Sequence, residues 1–189
     1  TCSVCARVVK GLLSTVPFCF ERKPMPASTF AAPLESRYFE DYEPDTVHEF
    51  GSVVVEEAEV LEFAQRYDPQ PFHTNPEAAK QSPYGGLIAS GWQTCALMMR
   101  ELVDHYLAPV SSLGSPGIDE LRWLLPVRPG DTLTVRATII EAKRSRSKPD
   151  RGIIRTFIEA INQQQEVVMS LKAVNFMLCR EPLDNQPTN

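Results

Sequence analysis

The chain has 189 residues, 43 % of them hydrophobic and 23 % charged, with a formal net charge of −5. That length builds one domain with room for a tail, and the composition is ordinary for a globular protein. The acidic balance argues against a nucleic-acid partner, and no run approaches the roughly 20 apolar residues that span a bilayer. A soluble, cytoplasmic protein without membrane or nucleic-acid contacts is expected.

Residues 1–35 stand apart. They hold Cys2, Cys5 and Cys19 with scattered prolines and little periodicity, and they read as a tail without chemistry. The apolar stretch from Gly11 to Phe20 follows Lys10 in the manner of a signal peptide. It contains Pro17 and lacks a small-residue cleavage site, so a disordered tail, or sequence upstream of a start at Met25, is the plainer reading. A domain over 36–180 and a C-terminal tail over 181–189 are expected. Cys95 and Cys179 bring the cysteines to five, an odd and uneven set that argues against a disulfide framework. Cys2-x-x-Cys5 lacks the further ligands a zinc site needs, so no metal is expected.

A strand is predicted over 47–56 on Ser52-Val53-Val54-Val55. A short helix follows over 57–66, with Val60, Leu61 and Ala64 on one face. Pro69 stops it, because the residue before a proline is pushed out of the α region. A second short helix begins at Asn75-Pro76-Glu77, which supplies an N-cap, a proline at the first position and an acid at the positive dipole end. The next helix, over 91–107, has Trp92, Cys95, Leu97, Met98, Met99, Leu102 and Val103 spread around most of its axis, the pattern of a buried helix. Four stretches rich in β-branched and aromatic residues follow, over 117–127, 132–144, 152–162 and 166–178. Pro129-Gly130-Asp131 and residues 162–165 mark turns between them. Consecutive strands with short turns predict an antiparallel sheet. The fold class is therefore α+β: a sheet wrapped around one buried helix, the hotdog arrangement, in a single unit because the chain shows no internal repeat.

Asp68 and His73 are the first candidates for chemistry. A carboxylate holds and deprotonates water, and an imidazole titrates near neutrality and passes a proton either way. Pro69 and Pro71 restrict the loop between them. Ser90-Gly91-Trp92-Gln93 has the S-x-x-Q form of a capping box. With Ser90 as N-cap, the Gly91 N–H is the first of the helix and has no intrahelical partner. Glycine leaves it open to a ligand, where it and the helix dipole can stabilise an enolate oxygen. The plain alternatives are an Asp-Pro turn, a solvated loop histidine and glycines that only let the chain bend. His48 and His105 read as structural or solvated. The basic run from Lys143 to Lys148, with Arg151, reads as a solvated hairpin turn, with coenzyme A phosphates as the alternative occupant.

These residues resemble the MaoC-like dehydratase family, which includes the (R)-specific enoyl-CoA hydratases. In that family's D-x-N-P-x-H motif, Asp68, Pro71 and His73 match in register and Gln70 stands where Asn is usual. Gly85-Gly86-Leu87-Ile88-Ala89-Ser90-Gly91-Trp92-Gln93-Thr94 is similar to the family's approach to its central helix, where many members carry His at the position of Ser90. Leu124-Leu125-Pro126-Val127-Arg128-Pro129-Gly130-Asp131-Thr132-Leu133 is similar to its P-V-x-x-G-D-x-L turn. The resemblance spans about residues 36–180. It implies a hotdog fold, a homodimer and a hydro-lyase acting on a 2-enoyl thioester of coenzyme A or acyl carrier protein, with no cofactor. It implies that Asp68 and His73 hold the reacting water, that the Gly91 N–H binds the thioester oxygen, and that Gln70, Phe72, Ser90 and Trp92 line the substrate. A hotdog thioesterase and a non-catalytic acyl-CoA-binding module are the alternatives.

Overall fold

The computed structural model describes residues 27–181. The expectations for Cys2, Cys5, Cys19, the Gly11–Phe20 stretch and residues 182–189 lie outside them. In chain order the main elements are β1 (Val47–Val54), α1 (Glu57–Tyr67), α2 (Pro71–Thr74), α3 (Pro76–Lys80), α4 (Gly91–His105), β2 (Gly117–Trp123), β3 (Thr132–Arg144), β4 (Arg151–Ile161) and β5 (Val167–Leu178). The five strands form one sheet in the order β1-β3-β4-β5-β2, and every neighbouring pair is antiparallel. This is the hotdog fold.

The strands alternate as a half-buried sheet requires. Leu133, Val135, Ala137 and Ile139 of β3, Ile154 and Ile158 of β4, and Leu171, Ala173 and Met177 of β5 are buried. They share one core with Met98 and Leu102 of α4 and with Tyr106. At the β3 turn, Gly130 takes φ +87°, and Asp131 closes the loop by accepting the Arg128 N–H at 2.7 Å. The Pro-Gly-Asp motif is thus a turn built by backbone geometry.

α4 departs from the sequence reading. Only one side is covered, by Gln93, Thr94, Met98, Glu101 and Leu102, while Trp92, Met99 and Val103 are 59 %, 43 % and 48 % exposed. The sheet of one chain curves around part of the helix, so an apolar perimeter is not a buried perimeter. The C-terminal end of α4 is held by Arg37, which donates to the carbonyls of His105 at 3.2 Å and Tyr106 at 3.1 Å. A guanidinium suits this negative dipole end, and it lies 3.6 Å from the Phe30 ring centre. Phe30 in turn stacks on His48 at 3.8 Å. Within the expected tail, Ser28, which bonds to the Val47 carbonyl, and Phe30 therefore pack on the domain.

Candidate active site

α1 ends at Tyr67, and the Asp68 N–H still bonds back to the Ala64 carbonyl at 2.9 Å. Pro69 breaks the helix there and aims the Asp68 side chain toward the start of α4. Pro71 opens the single-turn α2, where the sequence suggested only a stiff loop; proline's fixed φ suits a first helical position. His73 lies on that turn and is buried. Its Nδ1 is 2.8 Å from the Ile88 carbonyl. A carbonyl only accepts, so Nδ1 carries the hydrogen, and whenever the ring is neutral its Nε2 presents a lone pair. That lone pair faces Asp68 Oδ2 at 3.4 Å.

Asp68 is held on both oxygens. Gln70 Nε2 donates to Oδ1 at 2.7 Å, and the Ser90 hydroxyl donates to Oδ2 at 2.7 Å. Burial alone raises the carboxyl's pKa, but the hydrogen bonds from Gln70 and Ser90, joined by the charge of His73 when its ring is protonated, outweigh it, and the group sits below the ordinary carboxylate value. Asp68 is therefore ionised at neutral pH. Two acceptors facing one another at this distance call for a donor between or in front of them, and a water molecule with its two hydrogens is the smallest that fits.

Ser90 was expected at the substrate but is fully buried. Its oxygen accepts the Trp92 N–H at 3.2 Å, so it caps α4 and steadies Asp68 from beneath. The reciprocal half of the capping box does not form: Gln93 Oε1 is buried without a hydrogen-bond partner. Gly91 begins α4 as expected. Among the described residues no acceptor takes its N–H.

A cleft of about 500 Å³ brings Asp68, Gln70, Phe72, His73, Gly91 and Trp92 together. Phe72 packs edge-on against His73 at 4.5 Å. Trp123, Leu124 and Leu125 form the opposite wall with Tyr84; sequence reasoning assigned these four no role in the site. The run Trp123-Leu124-Leu125, apolar at the end of a strand and directly before Pro126, was the available signal. Trp123 Nε1 donates to the Gly91 carbonyl at 2.9 Å, and its ring lies so close that a Cβ at Gly91 would meet it at 2.4 Å. Glycine is thus required here by the indole as well as being open to a ligand.

The basic hairpin is elsewhere. Arg144 pairs with Gly152, and Gly152 with Met177, whereas Trp123 pairs with Met169, which sets the hairpin about 25 Å along β5 from the cleft wall. Three of its cations are also paired locally, Arg144 by Glu40 at 2.6 Å, Arg151 by Asp150 at 2.7 Å and Lys143 by Glu141. Within this chain they do not reach the site. His48 and His105 lie on β1 and at the end of α4 and are not part of it. Among the described residues no cluster of His, Cys, Asp and Glu is arranged to hold a metal, and no helix is long and apolar enough to cross a membrane.

Known proteins share this fold. A family profile described as MaoC like domain matches residues 40–160. The crystal structure of a MaoC-like dehydratase from Rhodospirillum rubrum is 38 % identical with a TM-score of 0.72, covering 77 % of this chain and 99 % of that one. R-hydratase PhaJ1 from Pseudomonas aeruginosa, 24 % identical with a TM-score of 0.61, shares the fold over 76 % of this chain and 86 % of its own. Protein YdeM of Bacillus subtilis, named as uncharacterized, is 25 % identical over 60 % of this chain and 79 % of its own length. The chain belongs to the MaoC-like dehydratase family.

Proposed function

We propose that the cleft adds water reversibly to a 2-enoyl thioester carried by coenzyme A or acyl carrier protein. The observation that carries this reading is the pair of acceptors, Asp68 Oδ2 and His73 Nε2, 3.4 Å apart in a cleft that also contains the start of α4. Water placed on them gives one hydrogen to each. The Gly91 N–H binds the thioester oxygen and stabilises the enolate that forms as the β-carbon is attacked. The water oxygen bonds the β-carbon while Asp68 takes one of its protons. The proton held by the Asp68–His73 pair then passes to the α-carbon, and the pair returns to its starting state. A depressed Asp68 pKa keeps the base ionised but also limits its strength, so the close approach of His73 matters for moving the proton.

Family membership supports a dehydratase chemistry in general; the apolar Trp123, Leu124 and Leu125 beside Asp68 and His73 in the cleft suit an acyl chain and support the thioester as substrate. A homodimer belongs to the same reading. β2 is a sheet edge, Trp92 of α4 packs edge-on against Trp123 at 5.4 Å, and Ile118, Leu124 and Leu125, like Met99 and Val103 of α4, are exposed. An unpaired edge next to so much apolar surface favours a second copy. Turnover of crotonyl-CoA and longer 2-enoyl-CoAs tests the reading. Wild-type protein is expected to hydrate at least one of them, and Asp68→Asn is expected to lose about 10²–10⁴-fold in kcat with the fold retained. A folded wild type inactive on every length, or Asp68→Asn at wild-type rate, rules it out. Free thiol release would instead mark a thioesterase.

A further inference from the structure

Substrates of the proposed reaction bring charge with them. Coenzyme A and acyl carrier protein both present the thioester on a phosphorylated arm, and an acyl chain can itself end in a carboxylate. With His73 neutral, the one charged side chain lining the cleft among the described residues is Asp68, which repels such an oxyanion. Three arginines lie within two positions of a cleft residue in sequence. Arg66 lines a separate groove between α1 and α4. Arg122 precedes Trp123 on β2, and successive strand residues point to opposite faces, so it is turned away from the wall that Trp123 forms. The third is Arg128.

Arg128 follows Val127, and its Nη2 donates across to the carbonyl of Tyr84 at 2.6 Å. Val127 and Tyr84 both line the cleft, so the half-buried guanidinium stands at its rim. Gly86 leaves room for it. A Cβ there would meet Arg128 Nη1 at 3.2 Å, and Gly86, unlike Gly85 with φ +66°, does not sit in the left-handed region. The charge has no acidic partner among the described residues. Asp131, the acid nearest in sequence, accepts instead the Arg128 main-chain N–H at 2.7 Å and the Gln163 amide at 2.9 Å. The other half-buried arginines described, Arg136, Arg144 and Arg151, pair with Glu49, Glu40 and Asp150 at 2.6, 2.6 and 2.7 Å. Burying part of a cation costs solvation that an anion offsets, and the guanidinium fork matches the oxygens of carboxylate or phosphate.

We propose that Arg128 receives an oxyanion of the substrate at the cleft rim, either the phosphate of the carrier arm or a carboxylate at the far end of the acyl chain, and so selects anionic thioesters. The proposal rests on the hydratase reading of the cleft and adds a specificity-determining residue to it. Arg128 binds away from the double bond, while Asp68, His73 and Gly91 serve the reacting atoms.

Three thioesters of one chain length separate the two sources of charge. They are trans-2-hexenoyl-pantetheine, the same compound phosphorylated on its pantetheine arm, and the same compound with its terminal methyl replaced by carboxylate. The test measures kcat/KM for each with wild type, Arg128→Gln and Arg128→Lys. Wild type is expected to favour at least one anionic thioester over the neutral one by about tenfold or more, the effect of one charge-assisted hydrogen bond. A preference for the phosphate assigns the carrier arm, and a preference for the carboxylate assigns the acyl end. Arg128→Gln is expected to bring that ratio to about one, and Arg128→Lys, which keeps the charge without the fork, to an intermediate value. A loss caused by a slackened Tyr84 wall falls on all three thioesters and leaves the ratio unchanged. Equal kcat/KM on the three by wild type, or a ratio that survives Arg128→Gln, overturns the proposal and leaves the hydratase reading standing. Turnover of none of the three by wild type removes the hydratase reading and this inference with it.

Discussion

The Ser90 hydroxyl donates to Asp68 Oδ2 at 2.7 Å while its oxygen accepts the Trp92 N–H at 3.2 Å. One side chain therefore caps the central helix and fixes the carboxylate at the end of α1. Ser90→Ala removes both bonds. It is expected to cost about 1 kcal/mol through the lost cap, visible in chemical denaturation, and to raise the acid limb of the rate profile because Asp68 loses a donor. Ser90→Thr keeps the hydroxyl and is expected to restore the limb.

Gln70 occupies the other oxygen of Asp68. Burial opposes ionisation there, and the Gln70 and Ser90 hydrogen bonds with His73 overcome it, giving a depressed carboxyl. Gln70→Leu is expected to move the acid limb of kcat/KM to higher pH. The stability sign agrees: a depressed folded pKa contributes stability above the unfolded carboxyl's value of about 3.9, lost as pH falls through the folded value. Gln70→Leu therefore shrinks that contribution. An acid limb identical to wild type would show that the amide does not tune Asp68.

Trp123 and Gly91 form a coupled pair. An added methyl at residue 91 collides with the indole at 2.4 Å, and the displaced ring gives up its bond to the Gly91 carbonyl. Gly91→Ala is expected to destabilise by about 1–3 kcal/mol. Combined with Trp123→Ala, the loss should fall short of the sum of the single variants by at least about 0.5 kcal/mol. Strict additivity in a denaturation cycle contradicts this packing.

His48 gives the fold a pH dependence away from the cleft. Burial lowers its pKa, and Arg37 lowers it further, against a hydrogen bond the ring donates to the Ser28 backbone carbonyl, which raises it. The unfolded ring titrates near 6.5. Below that pH the unfolded chain binds a proton that the folded chain holds poorly, so stability present above about pH 6.5 is lost as pH falls. His48→Phe keeps an aromatic ring against Phe30 and is expected to flatten the fall in denaturant midpoint from pH 7 to 5.

The strands and short helices could be read because their signals are local: alternation in β3 to β5, and Asn75 accepting the Glu77 and Ala78 N–H groups as a cap. α2 was hidden because prolines that stiffen a loop also start a helical turn. The covered side of α4 was hidden because its apolar residues ring the axis, and only the curvature of the sheet selects among them. Asp68, His73 and Gly91 were legible from motif and cap chemistry. The Ser90–Asp68 and Trp123–Gly91 bonds join residues 22 and 32 positions apart, and nothing in the neighbourhood of either residue announces its partner.

The bond from His73 to the Ile88 carbonyl has a stereochemical outcome. With one ring nitrogen tied to the main chain, the other is held on the side where the carboxylate already stands, and under the proposed function an alkene would meet both from that one side. In the hydration proposed above, hydroxyl and hydrogen would then be delivered to the same face of the double bond, a syn addition that the main chain enforces through one imidazole nitrogen.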